Sequence, residues 1–445
     1  MRVLHTSDWH LGRSLHRADL RGAQEAVLDA LVATVRGERV DVVVVAGDVY
    51  DRAVPPLDAV RLFEDGLVRL RDAGARVVVC SGNHDSAVRL GFGSRLVEQA
   101  GVFLRTRPQR LAEPVVLDDR HGPVGFYPIP YLEPDAVRGA LPPLAGPGAG
   151  ATDPTDPVAG SVEPGEQPAG PPREHAGVAP ATGPGEQPAE PPRGHAGVLG
   201  HAAACIAADA RARGLARTVV AAHAWVVGGL ASDSERDITV GGVGCVPAEP
   251  FAGFSYTALG HLHGPQTIGE GIRYSGSPLP YSFSEAGQVK GWWLVELGPA
   301  GLDRVEQVPA PVYRRLSVLR GPLADLLASR EYAPVERDFV SVTLTDPARP
   351  VEAMERLRTR FPHVLTVAWE PAGVAAAAGS YASRVLGRDD LSVAGAFVRH
   401  VRGTDASVAE QALLGEAVQA ARCRRDGEPG SVPPAPAQTG AGRGV

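Results

Sequence analysis

The sequence predicts an α/β sandwich, and three observations predict it. Short β-branched runs alternate with stretches whose apolar residues recur at helical spacing. Each run closes in turn residues, and polar, metal-capable side chains follow several of those turns. Runs at 40–46, 75–80 and 218–222 read as strands, and 24–35 and 57–71 as helices. From about residue 312 a second pattern begins, with strand-like 315–319, helical 322–329, strand-like 338–344, helical 350–361 and strand-like 363–369. It is read as a small α+β domain. A Gly/Ala-rich linker at 371–388 precedes two amphipathic helices near 390–402 and 406–422, and the chain from 424 reads as a loose tail.

One stretch breaks the alternation. Residues 142–200 hold 26 Gly or Pro among 59, too many for packed helices or strands, because proline removes backbone donors and glycine raises the ordering entropy. The stretch is read as a disordered insert. Within it Gly165-Glu166-Gln167-Pro168-Ala169 returns at Gly185-Glu186-Gln187-Pro188-Ala189, and His175 and His195 belong to that duplication, so neither is taken as a ligand.

The chain of 445 residues has room for two to three domains. Its formal charge of −7 would argue against a nucleic-acid partner, but the insert carries −5 of it, so net charge excludes nothing. Lys290 is the only lysine, which reads as a coding bias toward arginine rather than phosphate recognition. Four scattered cysteines form no CxxC pair and suggest neither a zinc knuckle nor a disulfide framework. The first residues lack an apolar leader, and no run approaches the roughly 18 apolar residues of a spanning helix. A soluble cytoplasmic protein without a membrane segment is expected.

Five polar clusters follow strand-like runs, where open α/β sheets place their ligand sites. They are Asp8-Trp9-His10, Gly47-Asp48, Gly82-Asn83-His84-Asp85, His223, and Gly260-His261-Leu262-His263. If these segments are extended, side chains two apart share a side, so Asp8 with His10 and His261 with His263 suit paired ligation. Each cluster alone is weak. Together they give two carboxylates, four imidazoles and an amide oxygen, a nitrogen–oxygen set that suits manganese, iron or zinc. Seven ligands exceed the need of one ion and fit two ions sharing a carboxylate, about 3.5–4 Å apart.

These strings, with His5-Thr6-Ser7-Asp8-Trp9-His10-Leu11-Gly12, Gly47-Asp48-Val49-Tyr50-Asp51 and Gly276-Ser277-Pro278-Leu279-Pro280, resemble the SbcD family of nuclease subunits, within the calcineurin-like metallophosphoesterases. The resemblance implies a four-layer α/β/β/α sandwich with a small α+β capping domain and C-terminal helices. It divides the chain into a nuclease domain at 1–141 and 201–305 split by the insert at 142–200, a capping domain at 306–372, a linker with partner-binding helices at 373–424, and a disordered tail at 425–445. Segment 278–283 is expected to connect nuclease and cap.

The resemblance further implies two divalent metal ions, with Mn2+ expected, one held by Asp8, His10, Asp48 and His263. Asp48, Asn83, His223 and His261 would hold the other. It implies that His84 faces the scissile phosphate. Asp85 is read as orienting His84 rather than binding metal, and Arg52, next to the bridging Asp48, as a contact to substrate phosphate or else a surface ion pair. The implied activity is two-metal hydrolysis of DNA, as a double-strand 3′–5′ exonuclease and hairpin or single-strand endonuclease in repair, recombination and replication. The implied partner is an SbcC-type ATPase, in an assembly with paired nuclease subunits. A phosphoprotein or small-substrate phosphoesterase of the same superfamily is the alternative, and Asp85, where those phosphatases carry glutamate, speaks against it. A scaffold that merely holds metal is the other rival.

Overall fold

The computed structural model describes residues 1–137, 140–143, 194–235, 244–371, 389–402 and 405–426. Two compact units result, Met1–Glu370 and Pro371–Val445. Most of the predicted insert, the 372–388 linker and the tail beyond 426 lie outside the described residues.

The first unit contains two six-stranded sheets. In the first sheet β1 (Arg2–Thr6), β2 (Val42–Ala46), β3 (Arg76–Cys80) and β4 (Val102–Arg105) run parallel. The second holds β5 (Val115–Asp119), β6 (Gly122–Ile129), β7 (Thr218–His223), β8 (Tyr256–Gly260), β9 (Gln266–Gly269) and β10 (Ile272–Tyr274). Its order is β9-β10-β8-β7-β6-β5. The hairpin of β11 (Gly291–Gly298) and β12 (Gly301–Pro309) returns to complete the first sheet beside β1.

Strand periodicity fixes the layering, because alternate side chains of a strand face opposite sides. Val43 and Val45 of β2 join a core with helices α1 (Arg21–Glu38) and α2 (Leu57–Asp72), whereas Val42, Val44 and Ala46 join one between the sheets. In β7, Val219 and Ala221 face that same inter-sheet core, while Val220 and Ala222 pack with helix α3 (Gly194–Ala212). The result is the four-layer α/β/β/α order that the resemblance implied. Helix α1 shows the matching helical pattern, burying Ala23, Val27, Leu28, Leu31, Val32 and Val35. It ends at Arg39, whose left-handed backbone lets Val40 N–H return to Val35 O at 3.0 Å.

Two expected boundaries move. The insert does not run to residue 200, because α3 begins at Gly194 and buries His195, Val198 and Leu199. Local Gly content misleads there, since burial against the second sheet supplies what helix propensity lacks. The first sheet keeps the chain through Pro309, so the first domain extends beyond the expected 305. A third sheet follows, of parallel β13 (Leu316–Gly321), β14 (Phe339–Leu344) and β15 (Val364–Trp369), covered by short helices at Leu323–Ala328 and Ala353–Arg358. Its own core includes Leu326, Val340, Val342, Leu357 and Phe361.

Segment 278–283 is not the expected connection between the first domain and the third sheet. It precedes the β11–β12 hairpin, so the covalent link is 310–315. Residues 278–280 instead line a cavity of about 530 Å3 with Arg314, Leu316 and Asp338, packing beside the cap without leading into it. In the second unit, helices α4 (Asp390–Arg402) and α5 (Val408–Asp426) are described, the latter running two residues past the expected start of the tail. Among the described residues no helix is long and apolar enough to cross a membrane.

Candidate metal centre

The parallel strands β1, β2, β3, β7 and β8 deliver the predicted residues from their C-terminal ends. Asp8 and His10 follow β1, Asp48 follows β2, Asn83 and His84 follow β3, His223 closes β7, and His261 and His263 follow β8. Three cross-links tie these ends together. Asp8 N–H donates to Gly47 O at 3.1 Å, His223 Nδ1 bonds Ala46 O at 3.0 Å, and His261 N–H donates to the Asp8 carboxylate at 3.0 and 3.2 Å.

The backbone is not extended here. Asp8, His10, Asp48 and His261 have φ of 53°, 44°, 50° and 106°, half of the eight positive-φ non-glycine residues found among the described residues. Such conformations cost of order 1–3 kcal/mol each and persist where surroundings over-determine them. Strand alternation therefore does not explain the pairing of ligands; left-handed turns do. Tight contacts fix the turn residues too. A Cβ on Gly47 would lie 2.4 Å from His223 Nδ1, and one on Gly82 would lie 2.1 Å from Asp48 Oδ1.

Ligand-capable atoms converge in three overlapping sets, Asp8–His10–His263, His10–Asp48–His84 and Asp8–Asp48–His223, within each of which they lie no more than 4.8 Å apart. Asp48 stands at the middle. Its Oδ2 is 3.6 Å from His10 Nε2 and 3.4 Å from His223 Nε2, while Oδ1 accepts the His84 N–H at 2.9 Å. Asn83 Oδ1 lies 2.9 Å from His223 Nε2, which places the predicted amide beside the predicted imidazole. His261 is buried, with its ring centroid 5.3 Å from that of His223, but it belongs to none of the three sets.

The electrostatics call for positive charge. Burial raises the Asp8 carboxyl and drives the His10 imidazole well below its usual value and that of His261 to about 3. Burial would also raise Asp48, yet His223, His10 and His84 outweigh it and hold that carboxyl well below the usual range. His223 is the counterpart, since burial disfavours its charge but Asp48 and Asp8 carry it up to about 9. His10 Nδ1 is buried without a hydrogen-bond partner, and His10 Nε2 faces His263 Nε2 at 3.1 Å. A nitrogen–oxygen donor set with two buried carboxylates fits divalent cations.

Residues 1–132 match the calcineurin-like phosphoesterase family. Residues 312–401 match the type 5 capsule protein repressor C-terminal domain, SbcD_C. The two matches on one chain together support a calcineurin-like phosphoesterase of the SbcD type. The calcineurin-like phosphoesterase match marks the chain as a hydrolase, and this family uses divalent metals. Its matched span contains Asp8, His10, Asp48 and the 82–85 string; the three distal histidines of the phosphoesterase reach the pocket from beyond it, across the inter-sheet core.

The remaining predicted residues divide. His84 lies at the pocket with its side chain 15% exposed, Nδ1 bonded to Asp51 O at 2.7 Å and Nε2 4.0 Å from Asp48 Oδ2. Asp85 does not orient His84. Its carboxylate accepts N–H groups from Gly82 at 2.9 Å, Tyr50 at 3.0 Å and Val49 at 3.1 Å, pinning the 48–50 turn to the 82–85 turn. Orientation of His84 falls to the Asp51 carbonyl, a backbone group that no side-chain pattern can reveal. Burial and the charge of Asp48 push Asp85 up to about 7 against those three donors. Arg52 is 66% exposed with a loose 3.7 Å contact to Asp51. Sequence reasoning missed Ser234, Glu285 and Lys290, which stand behind His263; the lone lysine was the available signal.

Proposed function

We propose that the chain is the DNA-hydrolysing subunit of an SbcCD-like complex, acting as a double-strand 3′–5′ exonuclease and a hairpin or single-strand endonuclease in repair, recombination and replication. The observation that carries the reading is the convergence of Asp8, His10, Asp48, His223 and His263 on one buried pocket with His84 beside it, in a chain that also matches SbcD_C.

In this reading Asp8, His10, Asp48 and His263 hold one ion and Asp48, Asn83, His223 and His261 the other, with Mn2+ the expected metal. When bound, such a pair supplies a water of lowered pKa and offsets charge on the phosphoryl oxygens. The protein's own groups do the rest. The Asp51 carbonyl can only accept, so His84 Nδ1 carries the proton toward it and Nε2 is left to face the substrate. Protonated on both nitrogens, His84 donates its Nε2 proton to the leaving oxygen or sets its positive charge against the charge developing on the phosphate. Asp85 keeps the His84 and Asp48 turns in register, and Arg52 meets the phosphate backbone outside the pocket.

Partner surfaces support the same reading. Leu391 of α4 and Val408 and Leu413 of α5 are exposed, an apolar supply for docking on the coiled coil of an SbcC-type ATPase. Val88, Phe92 and Leu96, just beyond the 82–85 string, are exposed as well and suit pairing of two nuclease subunits. The test is incubation of the purified chain, with and without its ATPase partner, with end-labelled duplex and hairpin DNA under Mn2+, Mg2+ or chelator. Metal-dependent cleavage is expected; hydrolysis of an aryl phosphate with DNA left intact would overturn it.

A further inference from the structure

Behind the pocket, on the side of His263 away from His10, lies a polar column that none of the assigned chemistry uses. His263 Nδ1 meets Ser234 Oγ at 2.5 Å, and Ser234 Oγ donates to Glu285 Oε1. Glu285 is 1% exposed and also accepts from Tyr281 N–H at 3.3 Å. Its second oxygen pairs with Lys290 Nζ. Lys290 is itself buried, and its ammonium reaches His263 O at 2.8 Å, Ser277 Oγ at 3.1 Å and Gln288 Oε1 at 2.7 Å. The column thus grips His263 twice, through the ring and through the backbone carbonyl.

Proton counting fixes its direction. A carboxylate facing an ammonium only accepts, so the single Ser234 proton goes to Glu285 and the Ser234 oxygen must accept from His263 Nδ1–H. That leaves the lone pair of His263 on Nε2, the atom that faces His10. Other imidazoles of the pocket are held more simply, with His223 Nδ1 on Ala46 O and His84 Nδ1 on Asp51 O. Composition points the same way. Arginine is the basic residue everywhere else in the chain, and the one lysine stands where several oxygens converge on a point. A compact ammonium with three rotatable donors satisfies that geometry, whereas a planar guanidinium fork does not.

We infer that Ser234, Glu285 and Lys290 are positioning residues that set the tautomer and placement of His263 and thereby tune one of the two divalent-cation positions. The inference rests on the two-metal reading of the pocket. Outer partners of this kind are worth about 10–100-fold in metal affinity.

The test is Mn2+ titration of the full-length chain by calorimetry, with thermal unfolding of the metal-free protein alongside. Wild type should bind two ions. Ser234→Ala should weaken one of them 10-fold or more with the other and the metal-free melting temperature little changed, and Ser234→Thr, which keeps the hydroxyl, should restore it. Lys290→Arg should weaken the same site despite keeping the charge. Wild-type affinity in Ser234→Ala would overturn the inference, as would equal weakening of both sites or failure of Ser234→Thr to restore binding. A wild-type chain that binds no Mn2+ would instead overturn the metal reading itself.

Discussion

Gly82→Ala isolates the packing of the pocket from its chemistry. Gly82 has an ordinary φ, so alanine can take its backbone without strain, and only space opposes the added methyl. That methyl would lie 2.1 Å from Asp48 Oδ1, 2.3 Å from Asp48 N and 2.7 Å from Asp48 Cγ, where ordinary contact begins at 3.4 Å. Since protein interiors have little free volume, Asp48 or the 82–85 turn must shift by about 1 Å. The 2.9 Å bond from His84 N–H to Asp48 is broken by that shift, at about 1.5–3 kcal/mol for a bond to a charged acceptor. A displacement of about 1 Å among reacting groups costs on the order of 100-fold in rate. The expected outcome is Mn2+ affinity reduced 10-fold or more and phosphodiester hydrolysis reduced 100-fold or more, read by calorimetry and by cleavage of labelled DNA. Gly37→Ala, in an open position on helix α1, is the control and should be neutral or stabilising by about 0.5–1 kcal/mol. Wild-type Mn2+ binding and turnover in Gly82→Ala would refute the proposed closeness of the two turns.

Three further outcomes follow from the same geometry. His84→Ser should keep both Mn2+ ions in calorimetry while cleavage of labelled DNA falls by about 10²–10⁴-fold, because His84 acts on the phosphate and is not needed to hold metal. Asp85→Ala removes the acceptor of three N–H groups and should lower the melting temperature by several degrees and weaken Mn2+ binding, with Asp85→Asn milder because it keeps an acceptor oxygen. His5 is fully buried and neutral, donating from Nε2 to Leu259 O and accepting from Tyr256 OH, and burial lowers its pKa to about 3. The unfolded chain takes up a proton below about 6.5 that the fold refuses until about 3, so stability is full above 6.5 and falls by about 1.4 kcal/mol per pH unit beneath it. Melting in chelator between pH 7.5 and 5 should show a shallower slope for His5→Gln than for wild type, and identical slopes would refute that assignment.

The strand-end strings were legible because β-strands bury continuous apolar runs and release polar residues only at their ends. Val42–Ala46 followed by Gly47-Asp48 is the plainest case. His223 was harder to place, standing after one strand with no distinctive string, and its position rests on the parallel pairing of β7 with β8. Asp85 was found as a residue and misread as a role, because its partners are backbone N–H groups of a turn 35 and 36 residues away or of its own loop, which carry no sequence signal. The boundary at 194 failed for a related reason, since glycine content reports propensity and α3 is held by packing.

By itself the sequence determined the donor inventory, the alternation that demands layered sheets, and the family strings, because these are properties of residue type and local spacing. Only the tertiary structure decided that Asp48 sits between His10 and His223, that Asp85 ties two turns together, and that the single lysine closes a column on His263. Those facts depend on distances between segments far apart along the chain, and such distances are set by the packing of two sheets across one core.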